Sequence, residues 1–96
     1  MKKLRIALAQ INPVVGDIDG NTDKIIATVR KCTAESSPQV VLFPELVVTG
    51  YPPEDLLLRS SIARRVERAI KRIADAVGDA FVIVGYPRYL DGALYN

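Results

Sequence analysis

Glu45 is the side chain whose neighbours best suit it to chemistry. It follows the run Val40-Val41-Leu42-Phe43-Pro44, which reads as a short apolar strand that must stop at Pro44, a residue with no N–H for a sheet ladder. A carboxylate at a strand end sits where open α/β sheets place their reacting groups. There it can act as a general acid or base; the plainer alternative is a cap or a loop salt bridge. Gly50-Tyr51 follows close behind in the same loop. The chain has no His and one Cys. Ser-His-Asp, Cys-His and His-based zinc sites are therefore excluded within it, and no Gly-x-x-x-x-Gly-Lys run offers a phosphate loop. Cys32 follows Ile25 and Val29 at helical spacing, which reads as a packed thiol and not a nucleophile. Asp17 and Asp19 have metal-like spacing, but they lie in a turn between Gly16 and Gly20 with no further ligand cluster, so loop geometry is the better reading.

The elements that must position Glu45 alternate strand and helix. Residues 4–10 set Leu4, Ile6 and Leu8 against Arg5, Ala7 and Ala9, the pattern of a strand with one heavily buried face. Asn12-Pro13 and residues 16–20 supply turn chemistry, with Asn21 or Thr22 placed to cap a helix that begins about Asp23. Ile25, Ile26, Val29 and Cys32 form the apolar stripe of that helix, and Ser36-Ser37-Pro38 ends it. Residues 39–43 are the second strand, reached by a connection long enough for a parallel crossover. Residues 47–53, with two prolines and Gly50, are a loop of defined shape, and Glu54-Asp55 opens a short turn through Leu58. Ile62, Val66, Ala69, Ile70, Ile73 and Val77 mark a second helix with Gly78 as its stop, and residues 80–85 form a third strand of the buried parallel kind. Beyond Tyr86-Pro87, residues 88–90 and 93–96 flank an Asp91-Gly92 turn as a β-hairpin. Tyr86, Tyr89 and Tyr95 read as sheet residues.

Composition narrows the setting. A chain of 96 residues with 49% hydrophobic content builds one modest core. Thirteen basic against eleven acidic residues give a formal charge of +2 without a basic block, so no nucleic-acid partner is expected, and the Arg-rich face of the second helix, interleaved with Glu67 and Asp75, reads as solvated surface. One Cys fits a reducing cytoplasm, and the apolar stretch after Lys3 is too short for a signal peptide or a membrane span. The hairpin's return strand has only begun at residue 96, and a three-stranded sheet with helices would expose apolar faces and an open edge. The chain is therefore expected to be part of a longer one.

Residues 4–10, then Asn12-Pro13-Val14-Val15-Gly16-Asp17-Ile18-Asp19-Gly20-Asn21, then Phe43-Pro44-Glu45-Leu46 and Gly50-Tyr51 resemble the opening of the nitrilase (carbon–nitrogen hydrolase) superfamily. The fuller string Thr49-Gly50-Tyr51-Pro52-Pro53-Glu54-Asp55-Leu56-Leu57 resembles one branch of it, the amino-terminal glutaminase domains of glutamine-dependent NAD+ synthetases. The resemblance implies that residues 1–96 are the β-α-β-α-β beginning of an α-β-β-α sandwich, ending inside a β-hairpin, with the remainder of that domain and a carboxy-terminal synthetase domain outside this segment. It implies a Glu-Lys-Cys trio that hydrolyses an amide, with Glu45 as the base that prepares a thiol. The family's Lys would stabilise charge on the carbonyl oxygen, and Tyr51 matches a position near the glutamine pocket. Neither the Lys nor the Cys has a counterpart here: Lys24, Lys31 and Lys71 fall on the helices, and Cys32 on the buried stripe.

The same resemblance implies glutamine as the substrate partner. ATP and Mg2+ are implied only for the missing synthetase domain, which converts nicotinic acid adenine dinucleotide to NAD+ with the released ammonia. No cofactor is expected in this segment, and a homo-oligomer in the cytoplasm without membrane or nucleic-acid partners is the expected setting. A stand-alone amidase or carbamoylase of the superfamily is the enzyme alternative. An inactive piece that persists by packing against the rest of its chain is the alternative of another class.

Overall fold

The structure, a computed structural model, describes residues 2–96. Its elements follow the alternation of apolar runs and helical stripes: β1 (Ile6–Leu8), α1 (Ile18–Ser36), β2 (Val40–Leu42), a 3₁₀ turn (Glu54–Leu58), α2 (Ser60–Ala76), β3 (Phe81–Ile83), β4 (Arg88–Leu90) and β5 (Ala93–Tyr95). The first three strands pair in parallel in the order β1-β2-β3, with Val41 in register with Ala7 on one side and Val82 on the other. Ladder bonds continue past the ends of β2. The Phe81 N–H donates to Gln39 O at 2.8 Å and the Phe43 N–H to Ile83 O at 3.0 Å. Pairing thus spans residues 39–43, as the apolar run predicts, and ends where Pro44 has no donor.

Crossovers between successive parallel strands share one handedness, so this strand order brings both helices to one face of the sheet. The core bears this out: Ile25 and Val29 of α1 and Ile62, Val66 and Ile73 of α2 pack with Ala9, Val41 and Phe43. Here the burial expected from the strand patterns is corrected. In β1 the small residues Ala7 and Ala9 turn toward the helices, whereas Leu8 is 70% exposed, and on β3 Phe81 is 76% exposed. Successive strand residues alternate sides, and with both helices on one face Ile6, Leu8, Leu42, Phe81 and Ile83 share an uncovered one. β3 is therefore covered on one side, not both.

The helix boundaries are also adjusted. α1 starts at Ile18, capped by Asp17, whose Oδ1 accepts from the Gly20 N–H at 3.1 Å; neither Asn21 nor Thr22 is the cap. A carboxylate there also complements the helix dipole, and the earlier start buries Ile18 completely. Ser37, in the left-handed region at φ 45°, closes α1 by donating to Cys32 O and Thr33 O, and Pro38 follows. α2 ends as Val77 turns extended with its N–H on Ile73 O, so Gly78 is not a left-handed stop. β4 and β5 form the expected antiparallel hairpin, with Asp91 and Gly92 both at positive φ in its turn. The Tyr89 hydroxyl donates to Leu57 O at 2.6 Å and ties the hairpin to the 3₁₀ turn, and burial there raises the Tyr89 pKa. No helix among the described residues is long and apolar enough to cross a membrane.

Candidate functional site

Glu45 opens the turn that follows the central strand, at its carboxyl end and exposed. The turn itself is anything but loose. Val47, Val48 and Thr49 are fully buried, Leu46 and Gly50 take positive φ of 50° and 81°, and the Gly50 N–H donates to Leu46 O at 2.9 Å. A left-handed residue other than glycine is held only where its surroundings over-determine it. Two loops do so here. The fully buried Asn21 donates from Nδ2 to Val14 O at 2.8 Å and to Val48 O at 3.0 Å, while its Oδ1 accepts from the Val14 N–H at 2.8 Å. The Gly16 N–H adds a bond to Thr49 O at 2.9 Å.

Two glycines let the chain segments meet. A Cβ on Gly50 would stand 2.7 Å from Val15 Cα, and one on Gly85 would stand 2.5 Å from Leu46 N and 3.1 Å from Glu45 Cα. Gly85, just past β3, thus supports the backbone of Glu45 from beneath. The carboxylate has one protein partner among the described residues: Asn96 Nδ2 donates to Glu45 Oε1 at 2.6 Å. One oxygen is held and the other is free to take a proton, the arrangement a base needs. Beside Asn96 lies an open cavity of about 580 Å³ lined in part by Gly85, Arg88 and Tyr95. A hollow between α1 and α2, lined by Asp23, Arg30, Arg72 and Asp75, carries surface charges and no part of the Glu45 turn.

Tyr51 stands 64% exposed in the same loop, with no hydrogen bond to Glu45 among the described residues. The other candidates do not converge on Glu45. Lys24 Nζ donates to Asn12 O, Lys71 pairs with Asp75, and Lys31 points to solvent. Cys32 is half-buried against the core near the end of α1, eleven residues and roughly 16 Å along the axis from Asn21, at about 1.5 Å per residue. Asp17 caps α1, and no three His, Cys, Asp or Glu side chains among the described residues come together as a metal site. Asn21, Gly85 and Asn96 escaped the sequence reading as parts of this site. Asn21 left a trace, since a carboxamide on the Ile18, Ile25, Val29 stripe asks for a buried partner; Asn96 left none, because its partner lies 51 positions away.

The carbon-nitrogen hydrolase family matches residues 5–96. The glutamine-dependent NAD(+) synthetase of Xanthomonas campestris pv. campestris is 44% identical over 93 residues, covering 97% of this chain and 17% of that protein. The glutamine-dependent NAD+ synthetase of Acinetobacter baumannii, solved with adenosine diphosphate, superposes with a TM-score of 0.91 at 36% identity, over 97% of this chain and 18% of that one. An amidase from Nesterenkonia sp. superposes with a TM-score of 0.76 at 27% identity, over 88% of this chain and 32% of that one. The chain thus spans about one sixth of the synthetases it matches.

Proposed function

The chain belongs to the carbon–nitrogen hydrolase family, and on that premise we propose that it is the opening of the glutaminase domain of a glutamine-dependent NAD+ synthetase, with Glu45 as general base and Tyr51 beside the glutamine pocket. The observation that carries this reading is the Glu45 carboxylate itself, presented at the end of the central strand on a braced turn with one oxygen held by Asn96 and the other free. The named synthetases that match nearly the whole chain support the choice of glutamine.

In this reading Glu45 takes the proton of a thiol supplied from outside the segment as the sulfur attacks the amide carbonyl, and returns it to the departing ammonia. ATP and Mg2+ belong to a synthetase domain beyond this segment, which uses that ammonia to amidate nicotinic acid adenine dinucleotide. A homo-oligomer in the cytoplasm, without nucleic-acid or membrane partners, completes the proposal. Glu45→Ala in the complete protein is expected to abolish glutamine-dependent NAD+ formation while sparing formation from free ammonia; equal loss of both sinks the assignment. The likeness to the Nesterenkonia amidase favours a second reading, a stand-alone amidase, for which no ammonia-dependent synthesis exists to be spared.

A further inference from the structure

We infer that Asn96 is a positioning residue for the Glu45 carboxylate, and that its side-chain amide is suited to both protonation states of a base that gains and then returns a proton. This rests on the reading of Glu45 as that base. The geometry is direct: Asn96 Nδ2 lies 2.6 Å from Glu45 Oε1, and no ion pair reaches Glu45 among the described residues. Asn96 is carried to this spot by the β4–β5 hairpin, which is itself anchored by the Tyr89 bond to Leu57 O and turned by Asp91-Gly92. Glu45 is offered from the other side on the turn supported by Gly85. Two independently braced segments thus meet at one hydrogen bond.

The chemistry explains why an amide serves. A carboxylate accepts and cannot donate, so Glu45 in its charged form needs a donor, which Nδ2 supplies. Once the free oxygen holds the proton, Oε1 is the carbonyl oxygen of a neutral acid and still accepts from Nδ2, so the same bond serves both forms. An ammonium or guanidinium in the same place would favour the charged form and oppose the uptake of the proton. A neutral donor holds the side chain in one orientation through the whole cycle without that bias.

The test compares Asn96→Ala and Asn96→Asp in the complete glutamine-hydrolysing protein, with Glu45→Gln alongside. Asp has nearly the shape of Asn but no NH₂ donor and sets a second carboxylate against the first. Packing alone would make Asn96→Asp the milder change; positioning makes it at least as harmful as Asn96→Ala. The expected result is a fall in kcat for glutamine hydrolysis of roughly tenfold or more for both variants, with KM for glutamine within about twofold and ammonia-dependent synthesis retained as the check on folding. Overturning results are an Asn96→Asp protein that keeps more than half its kcat, or a loss that resides in KM. A Glu45→Gln protein with full glutaminase activity would instead overturn the reading of Glu45, so the two failures are distinct.

Discussion

Among the described residues the free oxygen of Glu45 and the bound one are made unequal by a single neighbour, Asn96, and that inequality is the most specific feature at the scale of residues. Asn21 does comparable work within the fold. Its carboxamide satisfies three backbone groups of two loops in a setting with no access to water. Asn21→Ala is expected to lower unfolding free energy by roughly 2–4 kcal/mol, since buried backbone groups lose their partners, and chemical denaturation of the complete domain reads this out. Cys32 offers the opposite expectation. It contributes packing near the far end of α1, so Cys32→Ala should leave the glutamine hydrolysis proposed for the complete protein within about twofold. A loss comparable with that of Glu45→Ala would overturn the reading of Cys32 as a packed thiol.

At the scale of elements, the Glu45 turn is positioned by where strands end and how closely they approach. β2 is central, so its carboxyl end is flanked by neighbours on both sides, and Gly85 beyond β3 brings one of them within contact distance of Glu45 Cα. Gly85→Ala puts a methyl group against the backbone of Leu46, where no flexible side chain can yield. The turn must shift by several tenths of an ångström, and displacement of the proposed base on that scale is expected to lower kcat of the complete protein about tenfold or more. Steady-state glutaminase kinetics check this, with a cooperative thermal transition showing that the fold survives. A Gly85→Ala protein with unchanged kcat would mean that the support beneath Glu45 is dispensable.

At the scale of the whole molecule, the helices cover one face of the sheet and leave Ile6, Leu8, Leu42, Phe81 and Ile83 in the open. Contiguous apolar surface of this kind calls for a covering layer, and the edges of β1 and β3 are unpaired among the described residues. The 96-residue chain on its own is therefore expected to self-associate and to bind a hydrophobic dye. Leu8→Lys with Phe81→Lys should reduce both, as measured by sedimentation velocity and dye fluorescence. A monomeric, dye-silent chain would contradict the exposure of that face. The same bare face agrees with the proposal that further chain builds a second sheet against it, as an α-β-β-α sandwich would have.

The sequence by itself determined the order of the elements and the place of Glu45. Local rules decide those: Pro44 ends a strand wherever it stands, helical spacing shows in Ile25 and Val29, and Asp91-Gly92 makes a hairpin turn from its own backbone preferences. Membership of the carbon–nitrogen hydrolase family was legible too, because its motifs are short and contiguous. Tertiary structure decided which face of each strand is covered, since the alternation of Leu8 with Ala9 names two faces without saying where the helices lie. It also decided that Asp17, not Asn21, caps α1, because both are good caps and burial of Asn21 between two loops settles the competition. The meeting of Asn96 with Glu45, across 51 positions, is a product of hairpin and sheet together. No spacing along the chain encodes a contact that depends on where two separately folded segments come to rest.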